Sequence, residues 1–151
     1  MRLYLAILLA GLLSFGTSEA FAESGMISKK SAHSVSETID RLEKILTEKG
    51  LTVFARIDHA AGAKKAGLEL APTQLLIFGN PKLGTPLMKA SATTALDLPQ
   101  KALAHQTASG DVFLTYNDPA YLSSRHKIEG ADKVLKKITG ALDKFTSAAV
   151  K

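Results

Sequence analysis

The chain has 151 residues with a formal net charge of +5, and it contains no cysteine. Without cysteine, thiol catalysis, thiolate metal sites and disulfide exchange are excluded. The basic residues are dispersed in pairs such as Lys29-Lys30, Lys64-Lys65 and Lys136-Lys137. A nucleic-acid-binding protein usually concentrates its basic residues on one face, so we predict no nucleic-acid partner.

The first 22 residues have the features of a secretory signal peptide. Met1-Arg2 gives a positive start, Leu3 to Phe15 an apolar core, and Ala20-Phe21-Ala22 a small-residue cleavage pattern. This core is shorter than the roughly 20 residues that cross a bilayer. We therefore assign residues 1–22 to a leader and 23–151 to an exported domain, periplasmic or secreted, with no stable membrane insertion after cleavage. An uncleaved membrane anchor is the alternative.

The segment after the leader predicts a strand, a helix and a second strand. Met26–His33 alternates weakly and carries lysines, as an edge strand does. Ser34-Val35-Ser36-Glu37 matches a capping box, apolar residues follow at helical spacing, and Gly50 ends the helix. Leu51–His59 alternates apolar with mostly polar residues, which predicts the second strand.

The next segment predicts a short helix, a buried strand and a loop. Ala60–Leu70 is rich in alanine and glycine and indicates a short helix against the sheet. The run Leu75–Phe78 is continuously apolar, which is typical of a strand buried on both faces. A loop rich in glycine, asparagine and proline follows. Within it, Thr85-Pro86 has the pattern of a helix N-terminus with proline at the first helical position.

The last third of the chain predicts a hairpin and two helices. Lys101–Thr107 and Asp111–Tyr116 have strand character and are joined at Ser109-Gly110, a hairpin signal. Asp118-Pro119 provides an N-cap and a first helical residue. Apolar residues from Ala131 to Phe145 recur every three to four positions and predict a long amphipathic helix.

These elements predict the α+β fold class. We expect a single two-layer α/β domain with a mixed sheet of about five strands and helices packed on it. No internal repeat and no linker interrupts residues 23–151. One hydrophobic core therefore suffices for the predicted domain.

Five short motifs, taken together and in order, resemble a known family. They are Arg56-Ile57-Asp58-His59, Leu76–Pro81, Gly84–Met88, Asp97-Leu98-Pro99 and Tyr116–Pro119. The pattern resembles the small bacterial proteins called domain of unknown function 302, over roughly residues 26 to 148. The resemblance implies a compact two-layer α/β fold that is often dimeric. It implies no established reaction, substrate or catalytic residue.

Three polar clusters follow predicted strands and are the candidate site. Asp58-His59 ends the second strand, Asn80 and Lys82 follow the buried strand, and Asn117-Asp118 follows the last strand. Because sites in layered α/β folds often lie where strands end, we predict that these residues bind a small polar ligand. Loop amides near Asn80, with Lys82, would receive an anionic group of that ligand.

Each cluster also has a structural interpretation. Asp58 and Asp118 are residues that cap helices, and Asn80 is typical of a turn. An enzymatic alternative uses His59 as acid or base with Asp58 orienting the ring. A further alternative is a dimer module with no ligand.

The sequence predicts no metal site and no cofactor. The four histidines and the methionines lack the close spacing of metal-binding motifs, and neither a phosphate loop nor a G-x-S-x-G elbow occurs. A histidine–methionine site for copper or haem is an alternative that no spacing requires. We therefore predict a binding or interaction module whose partner is a small molecule or a second copy of the chain.

Overall fold

The computed structural model describes residues 25–151, and the predicted leader at residues 1–22 lies outside this part. The strands are β1 (Met26–Ser31), β2 (Thr52–Asp58), β3 (Thr73–Gly79), β4 (Gln100–Gln106) and β5 (Val112–Asn117). The helices are α1 (Val35–Glu48), α2 (His59–Lys65), α3 (Pro81–Ala90), α4 (Pro119–His126) and α5 (Asp132–Ala149). A 3₁₀ helix, Ala92–Leu96, precedes β4. Within the described range, none of the helices has the length and apolar character needed to cross a membrane.

The strands form one five-stranded sheet in the order β1-β5-β4-β3-β2, and every neighbouring pair is antiparallel. The α+β class and the single two-layer domain are confirmed, but the prediction of a mixed sheet is wrong. The sheet has no parallel pair because the connection through α1 crosses from one edge of the sheet to the other. β1 and β2 run in the same direction, as their connection through α1 requires, yet they lie at opposite edges and share no ladder.

Helix α1 covers one face of the sheet. Ser34 caps it, with the side-chain oxygen accepting from the Glu37 amide at 3.2 Å, and Gly50 ends it with a φ of 71° that favours glycine. Most of the apolar side of α1 is buried in the core cluster together with alternate residues of β3, β4 and β5. Two of these are Ala102 and Ala104, whose small side chains allow the helix to approach the sheet closely.

The other face of the sheet is only partly covered. In β3, Leu76 and Phe78 are buried in the core, whereas Leu75 and Ile77 are half-buried. The prediction that Leu75–Phe78 is buried on both faces is therefore wrong. Successive strand residues point to opposite faces of the sheet. The residues of the core cluster pack on the face that carries Leu76 and Phe78.

Two helix boundaries differ from the sequence predictions. Helix α2 ends at Lys65, and Gly67 with φ of 74° turns the chain before the predicted end. Helix α3 begins at Pro81 and not at Pro86, because Asn80 caps it and accepts a hydrogen bond from the Lys82 amide at 2.9 Å. Pro86 lies inside α3, where it lacks the amide hydrogen that an interior helical residue donates.

Both edge strands carry a basic side chain that is bonded to a helix. On β1, the Lys29 ammonium donates to Asp143 at 2.6 Å and to Ser147 at 2.7 Å, both on α5. On β2, the Arg56 guanidinium donates to Asp40 of α1 at 2.5 Å and to Gln74 of β3 at 2.8 Å. These bonds attach each edge of the sheet to the helical layer.

A buried histidine joins the end of α4 to the 3₁₀ helix and the residue after it. His126 Nε2 donates to Asp97 Oδ2 at 2.5 Å, and its Nδ1 lies 3.0 Å from Thr93 Oγ1. The His126 side chain is 4% exposed, and Arg125 lies 3.4 Å from the same carboxylate oxygen. This cluster fixes the segment that leads into β4.

We predict that Leu42→Ala lowers the free energy of unfolding by about 3 to 5 kcal/mol, because Leu42 is fully buried and its truncation leaves a cavity. Urea denaturation measures the change. Leu96→Ala is the matched control, since Leu96 is 75% exposed and its truncation removes the same atoms from the surface. Equal losses in the two variants would contradict the packing described for α1.

We predict that His126→Ala lowers the free energy of unfolding by about 2 to 4 kcal/mol. The substitution leaves the Asp97 carboxylate, which is largely buried, without its closest partner. His59→Ala is the control, because His59 is exposed at the first position of α2. If urea denaturation gives the same midpoint for both variants, the His126 cluster does not stabilise the fold.

Candidate functional site

An apolar pocket lies at the end of the sheet where β3 ends and β4 begins. It encloses about 210 Å³ and is partly open to solvent. Helix α3 contributes Leu83, Gly84 and Met88 to one wall, and α5 contributes Ile138, Leu142 and Phe145 to another. Phe54, Phe78 and Pro99 belong to the sheet side. The pocket therefore has walls from both layers of the domain.

The sequence of α3 keeps this space open. Because Asn80 and Pro81 begin the helix directly after β3, α3 starts beside the end of the strand. Gly84 then faces the cavity without a side chain. A Cβ atom at Gly84 would lie 3.6 Å from Leu98 Cδ1 and 3.9 Å from Met88 Cε, which are ordinary contacts. The position can therefore accept a side chain, and glycine there leaves room for a ligand.

Gln100 is the buried polar residue of the pocket. It is paired with Phe78 in the ladder between β3 and β4, so its side chain lies on the face covered by helices. The residue is 8% exposed, and its Nε2 atom has no hydrogen-bond partner among residues 25–151. Most buried polar groups in proteins are paired, so this amide requires an explanation.

The pocket lining contains no charged side chain within the described part of the chain. Two groups with shifted pKa values, Tyr116 and Asp111, lie outside the pocket lining. Burial raises the pKa of the Tyr116 phenol, and the hydrogen bond from Lys30 lowers the pKa of the exposed Asp111 carboxyl. The polarity of the pocket therefore comes from neutral groups, mainly Gln100, Asn80 and Thr85.

The predicted site residues do not meet in one place. Asp58 pairs with Gln74 at the start of β3, whereas Asn80 follows the end of that strand, roughly 20 Å farther along it. His59 is exposed beside Asp58. Neighbouring antiparallel strands have their carboxyl ends at opposite ends of the sheet. Asp58 at the end of β2 and Asn80 after β3 are therefore at opposite ends. The acid–base alternative required His59 to converge with Asn80 or Asn117. Asn117 ends β5, which runs in the same direction as β3, so His59 converges with neither residue.

The remaining predicted residues lie near the same end of the sheet as Asn80, but on other elements. Asn117 ends β5 and pairs with Met26 of β1, and β4 separates β5 from β3. Lys82 is exposed in the first turn of α3. Of the six predicted residues, Asn80 is the one that lines the pocket.

The interpretation as helix caps is confirmed for Asp58 and Asp118, whereas Asn80, which was interpreted as a turn residue, also caps a helix. In each cluster, one side-chain oxygen accepts a hydrogen bond from a backbone amide of the following helix. The bonds are Ala61 to Asp58 at 2.8 Å, Lys82 to Asn80 at 2.9 Å and Ala120 to Asp118 at 2.8 Å. Each oxygen thus satisfies an otherwise unpaired helix amide.

Sequence reasoning missed Gln100, although the sequence contains a signal for it. Gln100, Ala102 and Ala104 alternate along β4, and the two small apolar residues mark the face toward the core. A glutamine in that register falls among buried residues. It was missed because the predicted strand began at Lys101, one residue too late.

The His126 cluster was also missed. The Thr93 hydroxyl, the His126 imidazole and the Asp97 carboxylate are hydrogen-bonded in series. A catalytic nucleophile, its base and the group that orients the base are arranged in the same way. However, none of Thr93, His126 and Asp97 lines the pocket, and Thr93 also lies 3.2 Å from Ser91 Oγ. We assign the cluster the structural role of holding the segment before β4.

The histidines occupy separate places. His33 lies 3.0 Å from Glu37, His105 stacks on Phe113, and His126 contacts Asp97. Among residues 25–151, no three side chains of histidine or carboxylate type are grouped as metal ligands.

Comparison with known proteins gives relatives in sequence. The chain is 47% identical over 129 residues to two proteins named fluoride-specific ion channel FluC 1, from Brucella suis biovar 1 (strain 1330) and Brucella abortus biovar 1 (strain 9-941). The matches cover 83% of this chain but 51% and 48% of those proteins. The chain thus spans about half the length of the curated relatives it matches.

A solved structure has the same fold. It is the crystal structure of an uncharacterized conserved protein, DUF302, from Bacillus stearothermophilus, with a TM-score of 0.69 and 20% sequence identity. The likeness covers 83% of this chain and 95% of that chain. At this identity it shows the shared fold alone.

The family assignment rests on the sequence. The family described as domain of unknown function DUF302 matches residues 27–145, which begin one residue inside β1 and include β2 to β5 and most of α5. The resemblance carried by the five motifs is thereby confirmed. The chain belongs to the DUF302 family.

Proposed function

We propose that this protein binds a small, uncharged and largely apolar molecule in the pocket between α3 and α5. The observation that carries the proposal is the open apolar cavity of about 210 Å³, whose lining contains no charged residue in the described part of the chain. An apolar cavity of about 150 Å³ in another protein admits benzene. The pocket therefore suits a single ring with one or two small substituents.

The expected affinity is modest. Burial of apolar surface contributes roughly 25 cal/mol per Å², and association itself costs several kcal/mol. A ligand of this size therefore binds with a dissociation constant in roughly the micromolar to millimolar range. Such an affinity fits a carrier or sensor of an abundant metabolite.

The name of the Brucella relatives does not suggest the ligand of this pocket. A fluoride ion is strongly hydrated, and the apolar lining gives it no positive charge in exchange for its water. Those relatives are also about twice the length matched by this chain. Fluoride is therefore a suitable negative control for binding.

The predicted leader supports a proposal about location. The positive start, apolar core and small-residue exit in residues 1–22 are the features of an export signal. We propose that the domain functions outside the cytoplasm, in the periplasm or as a secreted protein. The ligand would then be a molecule present in that compartment.

A second candidate function is association with another copy of the chain through the open face of the sheet. Ile57, Leu75 and Leu103 lie side by side across β2, β3 and β4 in one row of the ladder. Ile57 is 39% exposed, and the other two are half-buried. A solvated sheet face usually alternates to polar residues, whereas a contiguous apolar row is typical of an interface.

For the pocket, we predict that toluene and indole shift the amide resonances of pocket residues in ¹H–¹⁵N NMR spectra, whereas sodium fluoride does not. Gly84→Leu should abolish these shifts, because the new side chain fills the cavity. Gly140→Leu is the matched control: it adds the same atoms to α5 where a Cβ atom meets nothing within 4 Å. Unchanged spectra at saturating toluene and indole, or equal binding by Gly84→Leu, would contradict the proposal.

For the sheet face, we predict a dimer in size-exclusion chromatography with light scattering. Ile57→Lys should give a folded monomer, because it places a charge in the apolar row without disturbing the core. Thr52→Lys, on the same strand outside the row, should remain dimeric. A wild-type protein that stays monomeric at high micromolar concentration rules out this interface.

A further inference from the structure

We infer that the ligand is a small neutral molecule that carries a carboxamide or lactam group paired with Gln100. The inference deepens the proposed function and rests on the same pocket. A separate observation supports the inference: the Gln100 Nε2 atom is buried and has no hydrogen-bond partner among the described residues.

The Gln100 amide is costly to bury unless something pairs with it. A glutamine side chain offers two N–H donors and one carbonyl acceptor. A buried amide left unpaired costs free energy that the fold must compensate. A water molecule in its place would itself need two to four polar partners, and this wall of the pocket is mainly apolar. A ligand with matching polar atoms removes the cost.

Gln100 belongs to the pocket lining, so its amide group is close to a ligand in the cavity. Its side chain lies on the same face as Phe78, and both residues line the cavity. The terminal torsion of glutamine is broad, so rotation about it presents either the nitrogen or the oxygen to the cavity. A carboxamide or lactam, which has a donor beside an acceptor, can pair with both atoms.

The surroundings favour a neutral group over a charged one. The lining contains no lysine, arginine, aspartate or glutamate within residues 25–151. The neighbouring cation, Lys101, is occupied: its ammonium donates to the carbonyl oxygens of Asp97 at 2.9 Å and Pro99 at 3.1 Å. A carboxylate or ammonium ligand would therefore lose its hydration without gaining a counter-charge.

The test compares three ligands of similar size by NMR titration of the full protein: benzamide, ethylbenzene and sodium benzoate. We expect benzamide to bind roughly tenfold more tightly than ethylbenzene, because benzamide pairs with Gln100 and ethylbenzene has no hydrogen-bonding group. We expect benzoate to bind at least as weakly as ethylbenzene. Gln100→Leu should remove the preference for benzamide and retain ethylbenzene binding, which also shows that the variant is folded.

The matched control is Gln106→Leu, the same substitution on the same strand. Gln106 lies outside the pocket lining, and its amide donates to the Gly110 carbonyl at 3.0 Å. This variant should keep the benzamide preference.

The possible results distinguish failure of the inference about Gln100 from failure of the proposed function of the pocket. Ethylbenzene binding as tightly as benzamide, or a benzamide preference that survives in Gln100→Leu, overturns the inference and leaves the apolar pocket as a binding site. If none of the three ligands perturbs the pocket resonances of the wild-type protein, both the inference and the proposed function are overturned.

Discussion

The structure depends on one packing constraint: a single helix must cross the whole sheet to join its two edges. Helix α1 has 14 residues and is therefore about 21 Å long, whereas five strands span about 19 Å. Its apolar side can thus cover the strands that lie between β1 and β2. Burial of Ile39, Leu42 and Leu46 against these strands forms the core, and it decides which face of the sheet is covered.

The pocket is a consequence of how the remaining helices complete that layer. Helix α5 extends the cover, while α3 begins immediately after β3 and leaves a gap at Gly84. Gln100 enters this gap because the alternation of β4 directs it toward the core. The His126 cluster holds the preceding segment through Asp97, so a polar contact outside the pocket helps to position its wall.

The sequence predicted what is local and failed where topology decides. The cap at Ser34, the Asp118-Pro119 helix start and the amphipathic α5 depend on residues within a few positions, so their patterns are sufficient. The convergence of Asp58 with Asn80 depended instead on strand direction. The carboxyl ends of all strands lie at the same end of a sheet only when all the strands are parallel, and a local sequence pattern does not determine which strands become neighbours.

The lysine and arginine that attach the two edge strands to the helices also affect how copies of the protein meet. Lys29 and Arg56 turn their charges inward at the outermost strands, where a strand of another molecule would have to add. Charged side chains at such positions disfavour continuation of a sheet from one molecule to the next. These charges therefore disfavour contact between copies along the edge strands, and they discourage open-ended fibrous growth.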